Sequence, residues 1–505
     1  MSNLSGYDSE ATGFDSITRT KTSESDSGTQ TSEFREVGSS SQTNISVDIG
    51  CNVTPDELTA TDYTLKEYPP PGLNEFLRRV VPAMIEQLDQ NDIPVDNSSD
   101  SDDEEIISAK LVQEINVKIE QFCSGDHESP CVLSVSWSSA GNSLAVSIGY
   151  SHHENWCEHE GQIRIFTIKR SAGDKFVQTL DITEKNCVTV VKYHPSVTAL
   201  LAYATSSGEV VICNLQNADF HGSQLTSPSG CHGSKRVSAL LWADPTLANV
   251  FLTMQIKNSG KRRGASDQIL FSSGSDGTIN VWQVNSTTKI FENVVSYFLN
   301  GSRNMIAPDI TCFDFIKTCP LRPSEEKLPD DVFVAGTKSG ALYLCRSNSC
   351  RQIADSSMLD PVYEVLDGHA TCVLEVAFSF QRPAVFASVS IDSELKVYDV
   401  NQSAPIKVLC LDVPISCMCW LPNNPSVVVL GLNGDPHRKH SLTVYNVSCG
   451  RAVPVDGFVG ESTVTSLIVH QSGSCRIAAG DAKGTVRVWE LPSRRIRVSS
   501  EALEV

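Results

Sequence analysis

Near the C-terminus the chain reads Ile477-Ala478-Ala479-Gly480-Asp481-Ala482-Lys483-Gly484-Thr485-Val486-Arg487-Val488-Trp489-Glu490-Leu491: an apolar strand, a tight turn and an alternating strand. The phrase recurs upstream as Ile269-Leu270-Phe271-Ser272-Ser273-Gly274-Ser275-Asp276-Gly277-Thr278-Ile279-Asn280-Val281-Trp282. An Asp-Gly pair accepts the positive φ that a short hairpin turn demands, so both copies predict β-hairpins. Weaker copies run from Leu200 to Leu215, Val332 to Cys345, Val385 to Val400 and Ser441 to Val447. A short apolar strand precedes each unit: Val132-Trp137, Val188-Tyr193, Val237-Trp242, Ile310-Phe315, Val373-Phe378, Ile415-Trp420 and Val464-His470. With Leu144-Ile148 and Gln162-Ile168 these make seven units between Cys131 and Leu491. Unit lengths scatter around the roughly 40 to 45 residues expected of four-stranded propeller blades. The even hairpin spacing predicts an all-β, seven-bladed β-propeller and argues against a β-sandwich.

The fifth unit carries the most complete set of polar marks: Gly368-His369 before its first strand, Ser388 in its second, Asp392 in its turn and Tyr398 where Trp is usual. In these marks the repeat resembles the WD-repeat family. That resemblance implies that His369, Ser388, Asp392 and Tyr398 form a buried hydrogen-bonded chain pinning loop to hairpin, satisfying groups that are costly to bury alone. His369 is then structural. The other units lack the Gly-His pair and are expected to rely on apolar packing and turn chemistry.

Of the formal charge of −20, residues 1–125 hold −16, with 24 Asp and Glu against 8 Lys and Arg. An acidic arm repels nucleic acid and anionic lipid, which argues against a phosphate-backbone binder. Lys261-Arg262-Arg263 is read as a solvated loop. Seventeen cysteines without a C-x-x-C pair, and no signal peptide or long apolar span, predict reduced thiols in a cytosolic protein. Cys417 and Cys419 share one strand face, where packing explains them. His152, His153, Cys157 and His159 cluster in the first unit, but their spacing matches no zinc module, so no metal and no cofactor is expected. The glycine turn at Gly480 to Thr485 lies between two strands and lacks the G-K-[ST] of a phosphate loop. With no catalytic set above the repeat background, the chain is not expected to be an enzyme.

The division along the chain is residues 1–72, a disordered arm; 73–90, an amphipathic helix; 91–125, an acidic hinge and lead-in; and 126–505, the propeller. The arm is too poor in apolar residues to bury a core. It contains two related phrases, Ser27-Gly28-Thr29-Gln30-Thr31 and Ser39-Ser40-Ser41-Gln42-Thr43. Leu73, Phe76, Leu77, Val80, Met84, Ile85 and Leu88 make one apolar stripe at helical spacing, with Pro82 inside it as an expected kink or break. An isolated amphipathic helix needs a cover for that stripe, either a partner or its own propeller. Residues 96–105 read DNSSDSDDEE, a hinge whose composition also suits a kinase. Ile106 to Glu120 reads as a strand closing the last blade or as a lead-in helix, and Arg494 to Val505 is an equal candidate for the closing strand.

T-Q-T phrases, a helix containing Phe76-Leu77-Arg78-Arg79-Val80 and a WD propeller together resemble the dynein intermediate chains. The likeness is greatest to those of cytoplasmic dynein 2, the intraflagellar-transport motor, and also takes in Leu133 to Gly141, Gly149 to Gly161 and Ala478 to Leu491. It implies a non-catalytic scaffold in cytoplasm, cytoskeleton and cilium, including the ciliary base. Thr29, Gln30 and Thr31, and Ser41, Gln42 and Thr43, would enter dimeric light chains as added β-strands. The helix would occupy a roadblock-type light chain, the propeller would hold the dynein 2 heavy chain, and a second intermediate chain would complete the assembly. No nucleic acid and no membrane insertion is implied. A WD-repeat adaptor or substrate receptor of another complex, or an intermediate chain of cytoplasmic dynein 1, is the competing reading. Light-chain peptides have no purpose in a substrate receptor.

Overall fold

A computed structural model describes residues 76–81, 107–117, 130–151, 159–216, 222, 224–259, 266–300, 307–317, 331–354, 356–422, 424–435, 437–470 and 475–492. Both T-Q-T phrases, the helix positions Leu73, Pro82, Met84, Ile85 and Leu88, the hinge at 96–105 and the segment 494–505 lie outside the described residues. The chain forms two compact units, Met1–Ser101 and Asp102–Val505. In the first, residues 76–81 are helical.

The second unit is a seven-bladed propeller. Blade one comprises Cys131–Trp137, Ser143–Gly149, Gly161–Lys169 and Lys175–Glu184; blade two, Val188–Tyr193, Leu200–Thr205, Val210–Asn214 and Leu225–Thr226. Blade three comprises Val237–Trp242, Gln268–Gly274, Thr278–Asn285 and Ile290–Phe298; blade four, Ile310–Phe315, Val332–Thr337, Leu342–Arg346 and Val362–Leu366. Blade five comprises Val373–Phe378, Val385–Ser390, Glu394–Asp399 and Lys407–Cys410; blade six, Ile415–Trp420, Val427–Leu432, Leu442–Asn446 and Arg451–Val453. Blade seven takes Val464–Val469, Cys475–Asp481 and Thr485–Leu491 from the C-terminal region and Lys110–Asn116 from the N-terminal side. Each first strand packs against the next, and that of blade seven against that of blade one, which closes the ring.

Every first strand slips register near its start, from Val132/Ser134 in blade one to Val464/Ser466 in blade seven. Such a bulge frees one residue from the ladder and turns its side chain toward a neighbour. In three blades that residue is a threonine bonding the next blade: Thr189 Oγ1 donates to the Val237 carbonyl and Thr311 Oγ1 to that of Val373, each at 2.7 Å, and Thr465 Oγ1 to that of Val132. Apolar clusters fill the spaces between blades; Phe271, Phe315 and Phe333 form one between blades three and four. An unexpected helix, Pro245–Ser259, is inserted between the first two strands of blade three. Asp244 caps it, accepting the Leu247 N–H at 2.8 Å, and Phe251 meets Phe271 edge-on at 5.1 Å between centroids.

The closing strand comes from the N-terminal side. Lys110–Asn116 runs antiparallel to Thr485–Leu491, and Ile107–Ser108 runs parallel to Val455–Asp456 beside blade six. Residues assigned above to the lead-in therefore belong to the propeller. The physical reason is that Ile115 and Val117 bury their side chains with Val486 and Val488, which a hinge would leave exposed.

Candidate functional site

In blade five, His369 Nε2 lies 2.7 Å from Ser388 Oγ, and Nδ1 lies 2.8 Å from Glu394 Oε2. A carboxylate only accepts, so Nδ1 carries the proton and Nε2 accepts the serine hydrogen. Burial holds the imidazole below its ordinary pKa, despite the Glu394 hydrogen bond, and so favours this neutral form. Tyr398 OH donates to the Asp367 carbonyl at 2.6 Å. The structure corrects one role: Asp392 is exposed and bonds Ser390, while Glu394 partners the ring. Glu394 opens the third strand and there faces the histidine, whereas Asp392 stays out in the turn.

A more complete chain lies in blade three, whose loop reads Cys231-His232-Gly233 without a preceding Gly-His pair. The Trp282 indole N–H donates to Ser272 Oγ at 2.8 Å, and Ser272 Oγ lies 2.8 Å from His232 Nε2. His232 Nδ1 is 3.3 Å from Asp276 Oδ1, and Thr278 Oγ1 donates to Asp276 Oδ2 at 2.7 Å. Burial pushes the Asp276 carboxyl upward, but the hydrogen bonds from His232 and Thr278 outweigh it and hold the pKa low. The expectation that blades without Gly-His rely on apolar packing and turn chemistry thus leaves out this buried histidine chain. Trp282 within the third strand, with Ser272 ten residues before it, was the available signal.

His369, Asp392 and Glu394 are the one group among the described residues with three potential metal ligands within 4.8 Å. Lys396 Nζ already lies 3.2 Å from Glu394 and donates to the Gly368 carbonyl at 2.7 Å. An ammonium thus supplies the positive charge, and the cluster reads as blade architecture. Of the suggested zinc cluster, only His159 is described; its ring lies 4.1 Å from that of Tyr150. Cys417 is buried and Cys419 half-buried on one strand of blade six, and burial raises both thiols. Within residues 76–81, Phe76 is 51 % and Leu77 41 % exposed, and Val80 is half-buried.

These features define a WD-repeat propeller. The family model for "WD domain, G-beta repeat" matches residues 453–490. Across 474 residues the chain is 21% identical to mouse cytoplasmic dynein 2 intermediate chain 2, covering 92% of this chain and 83% of that protein. The human protein of that name is 21% identical over 444 residues, 84% of this chain and 77% of its own. The ciliary dynein intermediate chain 2 of Heliocidaris crassispina is 22% identical over 334 residues, covering 64% and 42% respectively. Over most of its length the chain is thus similar to cytoplasmic dynein 2 intermediate chains, at modest identity.

Proposed function

We propose that the protein is a non-catalytic intermediate chain of the cytoplasmic dynein 2 motor, serving retrograde intraflagellar transport and cilium assembly. In this reading Thr29-Gln30-Thr31 and Ser41-Gln42-Thr43 each add a strand to a dimeric light chain. The stripe at Leu73, Phe76, Leu77, Val80, Met84, Ile85 and Leu88 enters a roadblock-type light chain. The propeller holds the heavy-chain tail, and a second intermediate chain is drawn alongside. The protein would work in the cytoplasm, on the cytoskeleton and in the cilium and its base.

The observation that carries this reading is the reach of the similarity. Residues 107–505 are 399 of the 505, about four fifths, so a match covering 92% of the chain runs into the arm. A propeller shared with unrelated receptors would not extend so far.

Two grooves on a dimeric light chain hold two arms at once, so effective concentration makes weak peptides sufficient. Titrating residues 20–50 with purified light chain tests the reading. Gln30→Ala should weaken binding more than Gln42→Ala, because Gln30 lies in the fuller phrase, and the double change should abolish it. The full-length double variant should still recover the heavy chain. No binding by the wild-type peptide, or equal binding by the double variant, would reduce both phrases to tail composition.

A further inference from the structure

Three consecutive blades are joined by residues 107–117. Ile107–Ser108 pairs with the Val455–Asp456 extension of blade six, with Ala109 N–H donating to the Asp456 carbonyl at 2.7 Å. Lys110–Asn116 closes blade seven, where Arg487 reaches Glu114 at 2.9 Å and Asp481 at 3.0 Å. Gln113 then crosses to the outer strand of blade one. Its Nε2 donates to the Phe176 carbonyl at 2.9 Å, and its Oε1 accepts the Phe176 N–H at 2.7 Å. One side-chain amide thereby takes both backbone groups of a residue on the rim, as a paired strand residue would.

The strand itself is thinly buried. Within the strand Lys110, Leu111, Glu114 and Asn116 are exposed, Val112 and Gln113 half-buried, and only Ile115 is fully enclosed; in the flanking residues Ile107, Ala109 and Val117 are also buried. Its register slips between Leu111 and Gln113, interrupting the ladder. The junction it guards also lacks a bond present elsewhere. Trp242 and Trp420 end their first strands by donating to the preceding blade, to the Lys192 carbonyl at 3.1 Å and that of Ala377 at 2.8 Å. Trp137 ends the first strand of blade one, yet its buried indole nitrogen has no partner among the described residues. This junction is held by Thr465 to Val132, by Val135 N–H to Ser466 Oγ at 3.1 Å and by an apolar cluster that includes Trp137, Ala478 and Val488, to which the clasp adds Ile115, Val117 and the Gln113 bonds.

We infer that residues 107–117 form a releasable clasp, which detaches from blades six, seven and one as a unit while the rest of the propeller stays folded, with Gln113 as its keystone. Four of its eleven residues are buried apolar anchors, but a broken ladder and a mostly exposed strand between them mark a segment that opens below the global unfolding free energy. Release bares the edge of Thr485–Leu491, a site for an added strand. Since the clasp continues the acidic arm, a partner on the arm acts on the strand that closes the ring. The inference stands on the propeller alone and survives failure of the dynein 2 reading.

Hydrogen exchange of the full-length protein, followed by mass spectrometry, tests it. Peptides covering 110–116 and 485–490 should exchange together, at least about tenfold faster than the inner strands of blades three to five, with a denaturant dependence shallower than that of global unfolding. Gln113→Ala should speed both further and bring Phe176 with them, while Gln113→Glu, which accepts but cannot donate, should fall between. Wild-type exchange of the clasp in step with blades three to five would overturn the inference, whether or not the variants fold. Fast wild-type exchange unchanged by Gln113→Ala would remove Gln113 from it.

Discussion

Ser272 takes the Trp282 indole hydrogen on one side and faces the His232 ring on the other, so one hydroxyl satisfies two large buried groups. Ser272→Ala should strand both and lower stability by about 2–4 kcal/mol. Glu394→Ala removes a single partner of buried His369 and should cost about 1–3 kcal/mol. Asp392→Ala should change stability by no more than about 0.5 kcal/mol, because that side chain is exposed. Urea midpoints of the three variants check the order; a larger loss for Asp392→Ala than for Glu394→Ala would refute the assignment of the ring's partner. Gly480 is constrained by packing: a Cβ there would lie 2.2 Å from Val132 Cγ1 of the next blade. That demand is invisible in the phrase Ala479-Gly480-Asp481, because the crowding atom belongs to the other end of the sequence.

Among the elements, the hairpins were legible because their period-two alternation and Gly turns are local; all seven first strands fall where the apolar runs place them. The inserted helix Pro245–Ser259 was legible only at its start, where Asp244-Pro245 supplies a cap and a first-turn proline. The arm helix poses a different question. Phe76 and Leu77 are more than a third exposed, and aromatic and aliphatic surface of that kind binds by burial. Phe76→Asp with Leu77→Asp should abolish recovery of a roadblock-type light chain while heavy-chain recovery persists, measured by affinity purification from ciliated cells. Loss of both together would instead indicate that the stripe supports its own propeller.

For the molecule as a whole, buried histidines tie stability to pH. His194 Nδ1 accepts the Ser196 and Val197 N–H groups at 3.1 and 2.9 Å, which leaves Nε2–H for Gln268 Oε1 at 2.9 Å. Burial lowers its pKa from 6.5 to about 4, against the Gln268 hydrogen bond. Between those values the unfolded chain takes up a proton that the folded chain refuses. The contribution is therefore complete above pH 6.5 and is lost as pH falls toward 4, by up to about 3 kcal/mol. Urea unfolding at pH 7.5, 5.5 and 4.5 should show this decline, with a shallower slope in His194→Gln; equal slopes would exclude His194 as a source. The number of blades, the strand order within each and the acidic arm follow from the chain's own periodicity and composition, because hairpins and solvated tails are short-range properties. Which terminus seals the ring, which carboxylate meets His369 and how Gln113 reaches Phe176 depend on contacts between residues far apart in the chain, and only closure of the ring brings those groups together.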